Sequence, residues 1–341
     1  MPYLYGRPSP YLSVLPSLLS EAGRLRPFLP PFKFTAFFSP EDTLLSVIAS
    51  EASLSHARLP GGTHAAPGQP LRIAELASGS GLTGLHLLRI ERNSTLLGLD
   101  IDAAAAETAS ANAAVLRLSC RSRFTRANIA SHNAEILLSR EKPQLLVCNP
   151  PYVPEPPGQS LAIEAGAGPH GTSHILQALA LARITRPRAL ALSWCSLSDP
   201  EHVVKEAGRN GYRLNSLFLT VIADGEYSGS VADYLRGLDR AYTNDSPETM
   251  RTVAPDGSAS FAYMLMAGEF SRSDAGPRRH VAKASEQVRT ICDRFARRGV
   301  TALTSIDATF SVRTWLLDRW DELRLRAFLH GPVRQMAVEP V

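Results

Sequence analysis

Gln144-Leu145-Leu146-Val147-Cys148-Asn149-Pro150-Pro151-Tyr152-Val153 joins a short apolar run to a tetrapeptide whose chemistry can be read residue by residue. Leu145 to Val147 predict the end of a buried strand. Two successive prolines fix φ and remove two amide donors, so the turn presents backbone carbonyls as acceptors beside the side-chain carbonyl of Asn149. Such a pocket suits an NH2 group. Tyr152 adds an aromatic face on which a planar amide or base stacks, and which favours positive charge developing on the stacked nitrogen. The plainer alternative is a rigid surface turn, since Asn and Pro are common turn residues. A chance match in a chain of this length is on the order of one in several hundred, so position has to decide.

The tetrapeptide stands about seventy residues after a glycine-rich stretch, Ala74-Glu75-Leu76-Ala77-Ser78-Gly79-Ser80-Gly81, and Leu96-Leu97-Gly98-Leu99-Asp100 lies between them. Each reads as a strand followed by a turn, and three strand ends converging on one site is how ligands are bound in open α/β sheets. Small residues after Leu76 let backbone amides approach a ligand, with the positive end of the next helix, from about Leu82, facing it. A plain tight turn and a nucleotide-binding Rossmann protein are the competing readings. Against the second, Glu75 suits a positively charged amino group and would repel a pyrophosphate. A carboxylate at the end of the second strand, Asp100, suits paired ribose hydroxyls. Asp102 reads as the N-cap of a helix from Ala103 to Ala114.

Together, Glu-x-Ala-x-Gly-x-Gly, Leu-Gly-Leu-Asp and Asn-Pro-Pro-Tyr resemble the class I S-adenosylmethionine-dependent methyltransferases that methylate amino groups. Within that class the chain most resembles the HemK/PrmC protein-(glutamine-N5) methyltransferases, from roughly Phe37 to Phe270 and most densely between Ile73 and Val153. The resemblance implies an α/β fold, a Rossmann-like seven-stranded sheet with helices on both faces, and S-adenosyl-L-methionine as cofactor. It implies cofactor contacts from Glu75, Ala77, Ser78, Gly79, Gly81, Asp100, Ile101, Asn128 and Asn149. The acceptor would meet Asn149, Pro150, Pro151, Tyr152 and Pro40, with Asn149, Pro150 and Tyr152 catalytic and no metal. Ala77 replaces the first glycine of the usual pattern, a small change expected to cost little. Asn128 stands where family members place an acid toward the adenine amino group; a simple turn residue is the equal alternative.

The chain of 341 residues with 44% hydrophobic content accommodates one large core plus an appendage, and a net charge of +4 is too slight to argue for nucleic acid. The longest apolar stretch, Ile175 to Ile184, is interrupted by Gln177 and Arg183 and is too short to span a bilayer. The first residues lack the order of a secretion signal, so a cytoplasmic protein is expected. Cys120, Cys148, Cys195 and Cys292 are scattered and read as free thiols.

Three regions follow. Residues 1–35 form an N-terminal segment with a short helical stretch near Tyr11 to Gly23, smaller than the family's helical domain. Residues 36–270 form the methyltransferase domain, with an insertion at 223–258. Residues 271–341 form a helical extension. Phe37 to Leu45 resembles the Pro-Glu-Thr segment that lies over the methyl donor; it also reads as a helix start, with Ser39 or Asp42 as N-cap. Val153 to Gly158 is a rigid loop suited to walling the acceptor pocket. Gly168-Pro169-His170-Gly171 stands where the family has Gly-Gly-x-Asp-Gly. His170 and His174 read as solvated rather than as a base or metal pair. Leu214 to Ile222 and Phe261 to Ala267 predict an antiparallel pair. The insertion predicts a helix at Val231 to Ala241, with Tyr227, Tyr234 and Tyr242 near substrate or packed.

In the extension, Val281, Val288, Ile291 and Phe295 give one apolar stripe, and Leu316, Trp320, Leu323 and Ala327 another before Gly331-Pro332. Two such helices must cover either this domain or a second copy of the chain, as a homodimer. Lys283, Arg289, Arg294, Arg297 and Arg298 give the first helix a basic outer face, solvated or turned to RNA or an acidic protein.

The expected reaction is transfer of a methyl group to a planar NH2 nitrogen, with a protein glutamine as acceptor and adenine N6 of DNA or RNA as the alternative. A nucleotide-dependent oxidoreductase and a donor-binding scaffold of weak activity are the other classes.

Overall fold

The computed structural model describes residues 3–4, 7–8, 40–58, 69–254, 257–273, 278–303 and 306–316. Eight strands form one sheet: β1 (Leu71–Leu76), β2 (Ser94–Asp100), β3 (Ser122–Arg126), β4 (Leu145–Cys148), β5 (Ala189–Cys195), β6 (Tyr212–Ala223), β7 (Ala262–Arg272) and β8 (Ser311–Leu316). Their order across the sheet is β8-β6-β7-β5-β4-β1-β2-β3. β7 runs antiparallel to both β5 and β6, while the other pairs are parallel. Strand order reverses between β1 and β4, so the crevice at the carboxyl ends of these strands is where a ligand site belongs.

Every residue of β4 and β5 is buried. These strands are covered on both faces, which is why their sequences run apolar instead of alternating. On one face lie α1 (Pro40–Ala57), α2 (Leu82–Ile90) and α3 (Ala103–Val115), contributing Leu45, Leu85, Leu87 and Ala113 to one core. On the other lie α4 (His132–Glu141), α5 (Ser173–Thr185), α6 (Pro200–Arg209) and α10 (Arg278–Arg298), contributing Leu138, Leu179, Val203, Val288 and Phe295 to a second. The doubly wound α/β fold is therefore the expected one. Asp102 caps α3 as anticipated, its side chain accepting from the Ala104 amide at 2.9 Å. Among the described residues, no helix is long and apolar enough to cross a membrane.

Three expectations about elements are corrected. The insertion forms three short helices, α7 (Glu226–Ser230), α8 (Ala232–Arg236) and α9 (Pro247–Val253), in place of one from Val231 to Ala241. Gly237 ends α8, its amide bonding back to the Asp233 and Tyr234 carbonyls. The extension supplies a strand: Ser311-Val312-Arg313-Thr314-Trp315-Leu316 pairs with Ser216 to Val221 as an eighth member of the sheet. Leu316 thus belongs to a strand and not to a second amphipathic helix; Trp320, Leu323, Ala327 and Gly331-Pro332 lie outside the described residues. Asp42 is not an N-cap, because α1 starts at Pro40 and carries Asp42 inside its first turn. The helical stretch near Tyr11 to Gly23 also lies outside the described residues.

The stripe on α10 covers its own domain. Val288, Ile291 and Phe295 are buried, along with Ala284 and Cys292, and Arg289 reaches Glu201 of α6 at 3.6 Å.

Candidate functional site

Register places the site residues side by side. Leu76 pairs with Leu99 on one side and with Cys148 on the other, so Ala77 and Asn149, the first residues beyond β1 and β4, stand level with Asp100, the last residue of β2. Neighbouring strands are about 4.8 Å apart, so the three turns share one crevice.

The glycine-rich turn is held by its own backbone. The Ser78 amide donates to the Leu99 carbonyl at 3.1 Å, and the Gly81 amide to the Ser78 carbonyl at 2.7 Å. Asn112 of α3 braces it, donating to the Ser80 carbonyl at 3.0 Å. Ala77 has φ +51°, Gly79 +51° and Gly81 +76°. At Gly81 a Cβ would also meet the Phe124 ring at 2.8 Å. Ala77 therefore occupies a left-handed position that costs an L-residue about 1–2 kcal/mol, more than its small size suggests.

Asp100 faces this turn. Its Oδ2 accepts from the Gly79 amide at 2.8 Å and its Oδ1 from the Asp102 amide at 2.9 Å. Each carboxylate oxygen keeps a further lone pair, so the group is oriented without being saturated. Burial raises its pKa, opposed by those amides. Ile101, beside it, is 42% exposed and offers an apolar surface at the rim. Asn128 is exposed and its Oδ1 accepts from the Ala130 amide at 2.9 Å, the bond of a turn residue.

Glu75 lies beneath the turn instead of opening into it. Its carboxyl is buried against the first turn of α2, where a Cβ on Gly84 would lie 2.5 Å from Oε2. Burial pushes its pKa to about 8, opposed by the Gly84 amide that donates to it, and Oε2 has no hydrogen-bond partner. Ser78 Oγ and Asn149 Oδ1 are likewise buried without a partner. Three orphaned polar atoms around one turn mark a place where a polar ligand would restore missing bonds.

The Asn149-Pro150-Pro151-Tyr152 turn leaves β4 beside this crevice. No described backbone N–H donates to the Pro150 carbonyl. The half-buried Tyr152 donates its hydroxyl to Asp42 Oδ2 at 2.6 Å, tying the ring to the first turn of α1. Burial, with Asp42 next, holds the phenol well above its ordinary pKa. Pro40 begins the same helix, whose first turn carries Asp42 to the Tyr152 hydroxyl.

The segment after Tyr152 is a closed loop. Val153 and Ala165 to Ala167 are bridged by backbone hydrogen bonds, and Glu155 accepts from the Leu161 amide at 2.8 Å and the Gly168 amide at 2.7 Å. Gly171, at φ +66°, lies so close that a Cβ would sit 2.3 Å from the Tyr152 carbonyl oxygen. The insertion comes down on this loop. Tyr227 donates to Glu164 Oε1 at 2.6 Å and Tyr234 to the Pro169 carbonyl at 3.0 Å, while the Tyr242 amide donates to the Ser196 carbonyl at 2.8 Å. His170 is exposed, whereas His174 is half-buried with Nε2 3.2 Å from the Gly166 carbonyl. Among the described residues, no three His, Cys, Asp or Glu side chains converge as metal ligands. Sequence reasoning missed Asp42 as a partner of Tyr152, along with Glu155 and Glu164. Asp42 carried a signal, because its segment had been singled out for another reason.

No family model and no curated protein matches the chain. Solved structures do. A ribosomal protein L11 methylase from Lactobacillus delbrueckii subsp. bulgaricus is similar at 12% identity over 71% of this chain and 85% of its own, with a TM-score of 0.38. A precorrin-6y C5,15-methyltransferase from Geobacter metallireducens is similar at 11% identity over 64% and 86%, with a TM-score of 0.35. The chemistry of the site rests on its own geometry.

Proposed function

We propose that this chain is an S-adenosylmethionine-dependent N-methyltransferase whose acceptor is a planar amino group, a glutamine side-chain amide of a protein. The observation that carries the reading is Asn149 Oδ1, a buried carbonyl without a partner, at a strand end adjacent to a turn whose Ser78 Oγ is also unbonded. The residues present fit the donor. The turn from Ala77 to Gly81, through the unpartnered Ser78 Oγ, would meet its methionine portion, Asp100 its ribose hydroxyls and Ile101 its base. Glu75, protonated beneath the turn, would balance the donor's ammonium only by giving up that proton on binding.

When bound, S-adenosylmethionine supplies a methyl group on a sulfonium. An amide nitrogen is a poor nucleophile because its lone pair is delocalised. As the N–C bond forms and the S–C bond breaks, Asn149 Oδ1 and the Pro150 carbonyl would accept hydrogen bonds from its two N–H groups, move electron density onto nitrogen and stabilise the charge that develops there. The sulfur would leave as a neutral thioether, and the one surplus proton would pass to water. The Tyr152 ring would cover the same nitrogen, its negative face favouring that charge. Alignment of nitrogen with the methyl group provides the rest.

Adenine N6 presents the same planar amine, and the exposed basic side chains on α10, Lys283, Arg294, Arg297 and Arg298, favour a nucleic acid as the second reading. Incubation with tritiated S-adenosylmethionine and fractionated cell extract separates the two. Label in protein, recovered as methylglutamine after digestion, is the expected result. Label in nucleic acid replaces the acceptor. Absence of both donor binding and label, or tight binding of NAD(P) instead, overturns the proposal.

A further inference from the structure

Among the described residues, six large apolar side chains stand exposed: Ile90, Ile101, Val115, Ile136, Ile163 and Ile184. Ile90, Val115 and Ile184 lie in the last turns of α2, α3 and α5, and helices that connect parallel strands end at the edge of the sheet opposite the ligand crevice. Ile136 is in the middle of α4. That leaves Ile101 and Ile163 on the crevice side. Ile101 follows β2 at the donor rim, whereas Ile163, at 61% the most exposed of the six, is on the loop that follows β4 and Tyr152.

The loop is fixed on both sides of Ile163. Before it, the Leu161 amide donates to Glu155 Oε1 at 2.8 Å. After it, the Ala165 and Gly166 amides donate to the Ala162 carbonyl at 2.9 and 3.0 Å, a turn with Ile163 and Glu164 at its corner. Glu164 Oε1 accepts from the Tyr227 hydroxyl of the insertion helix α7 at 2.6 Å, and Gly166 bridges to Val153, the residue after Tyr152. An apolar side chain held in this way loses little freedom when a partner covers it. Ile163 is three residues from Gly166, so an extended chain with its amide at Tyr152 would reach Ile163 with a residue within about six positions of the target.

Charge narrows what that partner is. Residues 153–171 and α7 contain no Lys or Arg, and they carry Glu155, Glu164 and Glu226. A phosphate backbone is gripped by basic side chains and is repelled by these, while a neutral or basic polypeptide is not.

Resting on the methyl-transfer reading, we propose that Ile163 is the anchor by which a polypeptide acceptor is recognised, packing on an apolar side chain near the target glutamine, and that Tyr227, by holding Glu164, is the positioning residue that sets where this anchor stands. The insertion thereby acts on the choice of acceptor without touching the methyl donor.

The test follows initial rates of label transfer from tritiated S-adenosylmethionine against increasing amounts of the protein fraction of a cell extract. Ile163→Ser should lower transfer about tenfold at low acceptor and converge on the unaltered protein as acceptor is concentrated, a change in KM and not in kcat, with donor affinity and Tm unchanged. Ile90→Ser, which removes the same exposed side chain at the opposite edge, should transfer normally. Tyr227→Phe should raise KM about threefold, and placed on Ile163→Ser it should add less than about twofold, because the side chain it positions is gone. Equal transfer by Ile163→Ser and the unaltered protein, or a loss in kcat alone, overturns the anchor while leaving methyl transfer to protein standing. Losses that multiply in the double variant overturn the role given to Tyr227. Label confined to nucleic acid, or absent from every fraction of the unaltered protein's reaction, fails the functional reading first and the anchor with it.

Discussion

Asn149 Oδ1 is buried without a partner, a condition that costs about 1–3 kcal/mol and persists in folded proteins where a ligand or a reaction uses the atom. Asn149→Ala removes the acceptor that strengthens as charge develops. Turnover should drop about a hundredfold or more, with donor affinity by calorimetry nearly unchanged. Glu75 gives a second test. Its pKa is raised from 4.5 to about 8, so across that interval the folded chain holds a proton the unfolded chain has lost. Stability should fall as pH rises through the window, because linkage favours the state that binds fewer protons. Glu75→Gln keeps an acceptor for the Gly84 amide and removes the titration. Its Tm, relative to the unaltered protein, should therefore improve progressively between pH 5 and pH 8. Parallel Tm curves for the two proteins would count against the buried, protonated carboxyl. Ala77 supplies a third: Ala77→Gly should add about 1 kcal/mol of stability in chemical denaturation, since φ +51° is strained for alanine and open to glycine.

At the scale of elements, the legible parts were those whose periodicity and punctuation agree. β1, β2 and β4 with their turns could be read because an apolar run ends at small residues, an acid or a proline pair. α6 is capped by Asp199, whose side chain accepts from the His202 amide, and opened by Pro200. The misreadings have equally local causes. Val231 to Ala241 has helix-forming residues, but Gly237 interrupts them and the segment is held by tertiary bonds such as Tyr234 to Pro169. Ser311 to Leu316 is rich in β-formers, yet its pairing partner lies 95 residues away, Ser311 opposite Ser216, and no local pattern reveals that. Asp42 shows the same limit at the site, because its contact with Tyr152 spans 110 residues. The loop carrying Gly168 to Gly171 is an element with a sharp test. Gly171→Ala forces a methyl group against the Tyr152 carbonyl at a left-handed φ, so the loop must lift from the Asn-Pro-Pro-Tyr turn. Label transfer should fall severalfold while donor affinity is retained; unchanged transfer would mean that the loop does not shape the acceptor wall.

For the whole molecule, the two cores depend on segments far apart in the chain. α1 precedes every strand of the sheet, yet Leu45 and Val47 pack in one core with Val147 of β4 and Ala267 of β7. His56, near the end of α1, pairs with Glu269 of β7 at 2.8 Å. α10 follows β7 and completes the opposite core, where Phe295 is fully buried. Phe295→Ala should cost about 3–5 kcal/mol in equilibrium unfolding, the usual toll for emptying a buried aromatic site. A loss below about 1 kcal/mol would mean that α10 is only loosely docked.

The outermost strand, β8, sits beside β6 and is laid down last, after α10. On a ribosome that releases the chain from its beginning, the sheet must therefore wait with a bare flank until residue 316 has cleared the exit tunnel. A nascent chain stalled before that point should be sensitive to protease along β6 and attractive to chaperones, and become resistant once the last strand is available.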